Sequence, residues 1–165
     1  MKSTRFIVWV LLVVGLNVAY ADQATHVTAQ NAWIRETPPT QTLSSGYLDL
    51  MNHGDDAVQL VAVESDAVRV IEMHTATQRG DTMGMERLNA ITLLPGRETT
   101  LRPGGDHLML IDMTRSPRLG EPLPVTLIFA DGSRLEVDAE VRSGPFNAPH
   151  SDAEARSNRD GEHMH

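Results

Sequence analysis

The chain has 165 residues, no cysteine, 22 acidic residues against 14 basic ones, and a formal net charge of −8. An acidic chain is a poor ligand for nucleic acid. A chain without thiols can form neither a disulfide nor a blue-copper centre, which requires a cysteine thiolate. The length fits one domain that is stabilised by an ordinary hydrophobic core.

Residues 1–21 have the features of a secretory signal peptide. The short segment of residues 1–5 is positively charged, residues 6–15 are apolar, and Ala19-Tyr20-Ala21 has the small-x-small pattern of a cleavage site. The apolar run is shorter than the roughly 20 residues that a membrane span needs. We therefore predict an exported protein whose mature chain begins at Asp22, with an uncleaved N-terminal anchor as the alternative.

The segment from residue 22 to 143 is dominated by short runs of Val, Ile, Leu, Thr and Tyr, which are broken by Gly, Pro, Asn and Asp. Such runs are typical of β-strands, and no stretch reads as a long amphipathic helix. Many short strands at this spacing predict one all-β domain, an antiparallel sandwich or barrel. The predicted strands span residues 27–35, 46–52, 58–64, 68–77, 82–90, 99–102, 107–113, 124–130 and 134–142.

Residues 77–82 predict a tight hairpin with the two-residue loop Arg79-Gly80. Glycine at the second loop position suits a turn that needs positive φ there. In this register His74 lies directly opposite Met85, with Cβ atoms about 4.5–5.5 Å apart. The hairpin is therefore predicted to place an imidazole beside a thioether on one face of the sheet.

A second His and Met pair lies on a later predicted strand. His107 and Met109 are two residues apart, so both point to one face, whereas Leu108 and Leu110 point to the other face, as a core requires. The two pairs form one site only if this strand lies close to the hairpin, which is a tertiary contact that the sequence does not establish.

Two imidazoles and two thioethers, with no thiolate, form a donor set that favours Cu(I) over harder ions. The predicted metal ligands are His74, Met85, His107 and Met109. Taken singly, a histidine in a strand is more often a surface residue, and a methionine more often fills a core. The joint pattern of two His and Met pairs is what indicates a metal site; Met73 and Met83 fit packing or a supporting role.

Two other classes of function stay open. A zinc-dependent enzyme would use the histidines with a nearby carboxylate such as Glu72 or Asp106. Two methionine ligands would be unusual for zinc, and the chain has no Ser/His/Asp arrangement, phosphate-binding glycine loop or paired carboxylates. We therefore predict that the protein is not an enzyme. The other open class is a β-sandwich that binds a partner without metal, but it would not explain why the four predicted ligands occur together.

Residues 144–165 contain no aliphatic run and are rich in Ala, Asn, Ser, Asp and Arg, which predicts a flexible tail. The tail carries a candidate second site, which would bind Cu(II) through imidazole nitrogens, although a merely solvated tail is the alternative. Its residues are His150, His163, Met164 and His165.

The spacing of the four predicted ligands resembles the motif of the PCu(A)C family of periplasmic copper chaperones. Ten residues separate His74 from Met85, 21 separate Met85 from His107, and one separates His107 from Met109. The resemblance extends over about residues 27–141. Its flanking matches are Ala32-Trp33-Ile34-Arg35 with Pro38-Pro39, Gly46-Tyr47-Leu48 before Met51-Asn52, and Pro103-Gly104-Gly105.

The resemblance implies a cupredoxin-like Greek-key β-sandwich with a Cu(I) site near its surface, formed by the four predicted ligands. It also implies a periplasmic location and delivery of copper to the CuA centre of cytochrome c oxidase, often alongside a Sco-type thiol protein. Copper scavenging, storage or resistance in the same compartment is the alternative.

Overall fold

The computed structural model describes residues 22–80 and 82–144, and within these ranges the protein is built from β-strands after one short 3-10 helix, Gln23–His26. The all-β class predicted from the sequence is confirmed. The strands are β1 (Val27–Arg35), β2 (Ser44–Asn52), β3 (Val58–Glu64), β4 (Val68–Arg79), β5 (Thr82–Leu88), β6 (Ile91–Leu93), β7 (Glu98–Leu101), β8 (His107–Met113), β9 (Pro122–Phe129) and β10 (Arg134–Arg142).

The strands follow one hydrogen-bonded path in the order β5-β4-β8-β2-β1-β10-β9-β3-β6, with β7 paired to β2 beside this path. Both halves of the path contribute to one apolar cluster, which includes Leu50 and Leu110 from one half and Leu60, Leu127 and Phe129 from the other. A sheet that curls over a single shared core forms a two-layered sandwich.

Two details of the predicted sheet are wrong. The three-residue strand β6 was not predicted. The predicted hairpin strand ended at residue 90, and the three residues of β6 follow it directly. The pairing of β1 with β10 is parallel, through Trp33 with Glu140 and Ile34 with Val141, so the sheet is not wholly antiparallel. A hairpin turn forces neighbouring strands to be antiparallel, but these two strands are joined by no turn.

The hairpin register is also corrected. Arg79 pairs with Thr82, so Arg79 belongs to the strand and not to the predicted loop of residues 79 and 80, and Met85 lies opposite Ala76 instead of His74. Gly80 has a φ of +62° at the first loop position. Both loops place glycine where a tight hairpin accepts positive φ, so turn chemistry alone does not choose between them. The shift is two residues, which preserves the face of every side chain.

Two predicted segments, the signal peptide at residues 1–21 and the tail beyond Gly144, lie outside the described residues, as does Asp81. In residues 22–80 and 82–144, no helix has the length and apolar character that crossing a membrane requires.

Candidate metal site

The outer face of strands β5, β4 and β8 carries all four predicted ligands. Leu108 and Leu110 of β8 are 3% and 1% exposed in the core, so the alternation of the strand directs His107 and Met109 to the opposite face. The register of β4 with β8 then sets their neighbours: His107 lies opposite His74 and Met109 lies opposite Glu72. The contact between the hairpin and the later strand, which the sequence left undetermined, is therefore a direct strand pairing.

The two histidine rings lie close together, with centroids 6.0 Å apart and planes tilted by 40°. A first-row metal binds an imidazole nitrogen at about 2.0–2.1 Å, so two rings that share one ion have centroids roughly 5–6 Å apart. The observed separation is compatible with one ion held between His74 and His107.

The two methionines occupy positions diagonal to His74, on opposite sides of it. Met109 is two residues along β8 from His107, and Met85 is two residues along β5 from Arg87, the residue opposite His74. Diagonal neighbours lie about 7–8 Å apart, within reach of long side chains. The structure thus places all four residues on one face, and their binding of a common ion stays a prediction.

The candidate ligands differ strongly in exposure. His107 is 8% exposed, whereas Met85 on the terminal strand of the sheet path is 59% exposed. His74 and Met109 are intermediate. The candidate site therefore has a buried side formed by β8 and an open side at β5, which another molecule could approach.

Hydrogen bonds distinguish the two nitrogens of each ring. His107 Nδ1 lies 2.9 Å from the carbonyl oxygen of Gly105 and donates to it, which leaves the lone pair of Nε2 free. His74 Nε2 lies 2.9 Å from Oε2 of Glu72, and because an ionised carboxylate only accepts, Nε2 carries the proton. His74 Nδ1 is buried without a hydrogen-bond partner.

Glu72 connects the histidine to a cation. Its Oε1 lies 3.0 Å from Nη1 of Arg87, while its Oε2 accepts from His74. The hydrogen bond from His74, together with the positive charge of Arg87, outweighs desolvation and lowers the pKa of Glu72 below its ordinary value. The carboxylate is therefore held ionised between an imidazole and a guanidinium.

The sequence signal for Glu72 was present but incomplete. Glu72 is two residues before His74, so period-2 alternation places both side chains on one face. The sequence alone suggested a role for Glu72 only in a zinc site. Arg87 was missed because its position opposite His74 depends on the hairpin register. Asp106, the other carboxylate considered for a zinc site, directly precedes β8. Within the described ranges, no group of three or more His, Asp or Glu residues is placed to hold a metal.

The two additional methionines lie in different environments. Met73 is 5% exposed and belongs to the core cluster, so its side chain packs inside the sandwich. Met83 lies opposite Gln78 on the ligand-bearing face and is 58% exposed.

An aromatic pair lies on the same outer face, toward β1. The rings of Trp33 and Tyr47 have centroids 4.4 Å apart, and Nη2 of Arg35 donates to the Tyr47 hydroxyl at 3.2 Å. A Cβ atom on Gly144 would lie 3.2 Å from the Trp33 ring. The described chain therefore ends against this aromatic pair; the candidate tail ligands His150, His163, Met164 and His165 lie outside the described residues.

Sequence comparison relates the chain to one protein family. The sequence model of the family described as "Putative lipoprotein LpqE-like" matches residues 27–141. The chain is 30% identical over 121 residues to "Putative lipoprotein Lxx21020" of Leifsonia xyli subsp. xyli, across 73% of this chain and 72% of that protein. It is 27% identical over 132 residues to "Uncharacterized protein RP573" of Rickettsia prowazekii, across 77% of this chain and 72% of that one.

Solved structures of similar fold come from copper-binding domains. The copper-bound PCuAC domain from PmoF2 aligns with a TM-score of 0.63 and 26% identity, over 72% of this chain and 94% of that domain. The solution structure of CuI-DR1885 from Deinococcus radiodurans aligns with a TM-score of 0.60 and 29% identity, over 77% of this chain and 85% of that one.

Proposed function

The chain belongs to the LpqE-like family, which is the family of PCuAC domains with their cupredoxin-like β fold, and from this premise we propose that it is a copper chaperone that holds Cu(I) and passes it to a partner. The observation that carries the proposal is the pairing of His74 with His107, whose ring centroids are 6.0 Å apart, with one methionine diagonal to His74 on each neighbouring strand. Two structural relatives are copper-bound, one of them with Cu(I).

The donor chemistry supports carriage of copper rather than catalysis. Two thioethers are neutral, soft donors that hold Cu(I) without the tighter grip of thiolates. Imidazoles add affinity, and because ligation requires the neutral ring, binding weakens as the pH falls. In this proposal His74, Met85, His107 and Met109 hold the ion, and the protein is a carrier and not an enzyme.

The gradient of exposure supports transfer by ligand exchange. Met85 is 59% exposed on the terminal strand β5, whereas His107 is 8% exposed. An acceptor that approaches from the open side would displace the thioether of Met85 first and the imidazole of His107 last. Copper would thus leave through a series of mixed complexes and would not be released into water.

We propose that the acceptor is the CuA centre of cytochrome c oxidase, with a Sco-type thiol protein as a companion, and that transfer occurs in the periplasm. This part rests on the resemblance to the chaperone family. Mixing the Cu(I)-loaded protein with a soluble apo-CuA domain and its reduced Sco-type partner should transfer copper to the CuA domain, which is measured as the copper content of the re-isolated domain. Retention of all copper on this protein would favour scavenging, storage or resistance instead.

The site itself is tested by Met85→Leu and Met109→Leu. Leucine keeps the size and apolar character of methionine but has no sulfur, so each variant should fold and should lose at least about tenfold in Cu(I) affinity, roughly 1.4 kcal/mol. Competition with a chromophoric Cu(I) chelator measures the affinity. The matched control is Met113→Leu, since Met113 is buried in the core away from the ligand-bearing face.

Unchanged Cu(I) affinity in both ligand variants would reject the site. A preference for Zn(II) over Cu(I) in the wild-type protein would favour the competing assignment, a zinc-dependent enzyme, and no binding of either ion would favour a metal-free binding module.

We propose a second site in the tail, which binds Cu(II) and is formed by His150, His163, Met164 and His165. The support is the composition of the tail and the place where the described chain ends, with Gly144 against Trp33 on the ligand-bearing face. Such a site would raise the local concentration of copper near His74. Truncation after Pro145 should lower the number of Cu(II) equivalents bound.

A further inference from the structure

The two histidines of the candidate site are oriented through different atoms. His107 donates from Nδ1 to the backbone carbonyl of Gly105 at 2.9 Å, in the loop that leads into β8. His74 donates from Nε2 to the side chain of Glu72 at 2.9 Å. A backbone carbonyl is present whatever the side chains are, but a carboxylate partner is a specific choice of residue at position 72.

The partner of His74 is itself held in place from the other side. Glu72 and His74 are two residues apart on β4, and Arg87 lies opposite His74 on β5. Nη1 of Arg87 contacts Oε1 of Glu72 at 3.0 Å, so the two carboxylate oxygens have different partners. The side chain of Glu72 is 20% exposed, whereas that of Arg87 is 66% exposed. The carboxylate of Glu72 therefore faces the imidazole, and Arg87 lies between this carboxylate and the solvent.

This arrangement leaves one ring nitrogen on each histidine with a free lone pair. On His107 the free atom is Nε2. On His74 it is Nδ1, which is buried and has no hydrogen-bond partner in the structure. A buried polar atom without a partner is costly and calls for an explanation, and an ion bound at the site is one.

We infer that Glu72 is a positioning residue that holds His74 as the Nε2–H tautomer, so that His74 presents Nδ1 and His107 presents Nε2 to copper. The inference rests on the proposed copper function and extends it to a residue outside the four predicted ligands. A metal-bound histidine commonly donates its second N–H to a carboxylate or carbonyl, which fixes the ring and makes the ligating nitrogen more basic. Arg87 keeps the carboxylate directed at the ring.

The first test measures the tautomers in the copper-free protein, so that it does not depend on metal loading. Long-range ¹H–¹⁵N NMR correlations at about pH 8, where imidazoles are neutral, distinguish Nδ1–H from Nε2–H rings. We expect His74 as the Nε2–H tautomer and His107 as the Nδ1–H tautomer. A wild-type spectrum in which His74 is protonated at Nδ1 would overturn the inference.

The second test uses three substitutions and Cu(I) competition titrations. Glu72→Leu removes the acceptor and should give a mixture of His74 tautomers with an affinity for Cu(I) about 10–100-fold weaker. Glu72→Gln keeps a carbonyl oxygen that can accept from Nε2, and should restore the tautomer and most of the affinity. Glu86→Leu is the control, because Glu86 is exposed on β5 but its register places it on the opposite face from Met85.

Each outcome bears on one of the two proposals. If the wild-type protein binds no Cu(I), the proposed function fails, and with it the role of Glu72. If the wild-type protein binds Cu(I) but Glu72→Leu changes neither the His74 tautomer nor the affinity, the positioning role alone fails. Should Glu72→Leu not fold, the same comparison is made with Glu72→Gln and Glu72→Ala, and equal tautomers and affinities in these two variants would reject the role.

Discussion

At the scale of single residues, the surroundings of His74 are formed by residues of three strands. Its cross-strand neighbour on β8 is His107, its cross-strand neighbour on β5 is Arg87, and Glu72 lies two residues away on its own strand. The alternation of β4 predicted Glu72 on this face from the sequence. The identities of the other two neighbours depend on registers, so they came from the structure.

Asp131 is a second residue whose carboxylate organises its surroundings. Its Oδ2 accepts from the backbone of Gln23 at 2.7 Å, and its Oδ1 accepts from the backbone and the hydroxyl of Ser133. Burial alone would raise the pKa of Asp131, but the hydrogen bonds from Ser133 and Gln23 outweigh it and lower the pKa below the ordinary value of 3.8. The carboxylate ties the first described turn to the loop between β9 and β10.

Asp131→Asn should therefore lower the free energy of unfolding at neutral pH by about 1 kcal/mol, a figure reduced for the exposure of the site. A folded-state pKa below 3.8 means that the stabilisation is complete above that pH and is lost as the pH falls through the folded-state value. Urea unfolding at neutral pH and at about pH 3 should show the difference from the wild type shrinking in acid. Asp138→Asn, at an exposed position on β10, is the control, and an equal difference at both pH values would contradict the prediction.

At the scale of elements, β8 was predicted with its correct bounds and β5 was not placed in its correct register. The alternation of His107 and Met109 with Leu108 and Leu110 identifies both faces of β8, because the buried leucines determine which side meets the core. The sequence of the hairpin determines less. The period-2 alternation gives the face of each side chain, but the register depends on which two residues form the turn. The pairing of His74 with Met85 was wrong for this reason.

The turn of this hairpin gives an element-scale prediction. Gly80 has a φ of +62°, and a Cβ atom there would meet nothing within 4 Å, so the cost of a side chain comes from the backbone alone. Gly80→Ala should lower the free energy of unfolding by about 1–2 kcal/mol and should weaken Cu(I) binding, since β5 carries Met85. Denaturant unfolding and chelator competition measure the two effects.

Gly80→Asn is the matched variant, because asparagine adopts the left-handed conformation more readily than alanine. It should recover most of the lost stability. Equal losses in the alanine and asparagine variants would show that the positive φ at this turn is not the source of the effect.

At the scale of the whole molecule, the ligand-bearing face also holds the end of the described chain. Gly144 lies against Trp33 on β1, and β2 and β8 separate β1 from β4 in the sheet. Three strand spacings amount to about 14 Å. The chain from residue 145 to His163 has a contour length of about 60 Å when extended, so its length allows the tail histidines to reach His74.

Truncation after Pro145 is the corresponding experiment. The shortened protein should keep its Cu(I) affinity at the His74 site and bind fewer Cu(II) equivalents, as measured by metal analysis after equilibrium dialysis. The matched full-length variant replaces His150, His163 and His165 with alanine, and it should lose the same Cu(II) equivalents. Unchanged stoichiometry in both oxidation states would remove the second site.

The sequence by itself determined the all-β class, the strand β8 and the face on which His74, Met85, His107 and Met109 lie, because these depend on the period-2 alternation of apolar residues along single strands. Only the tertiary structure decided that β8 pairs with β4, that β10 runs parallel to β1, and that Arg87 rather than Met85 lies opposite His74. These features depend on how distant segments share one core and on whether Gly80 is the first or the second residue of the turn, and neither is encoded within a single strand.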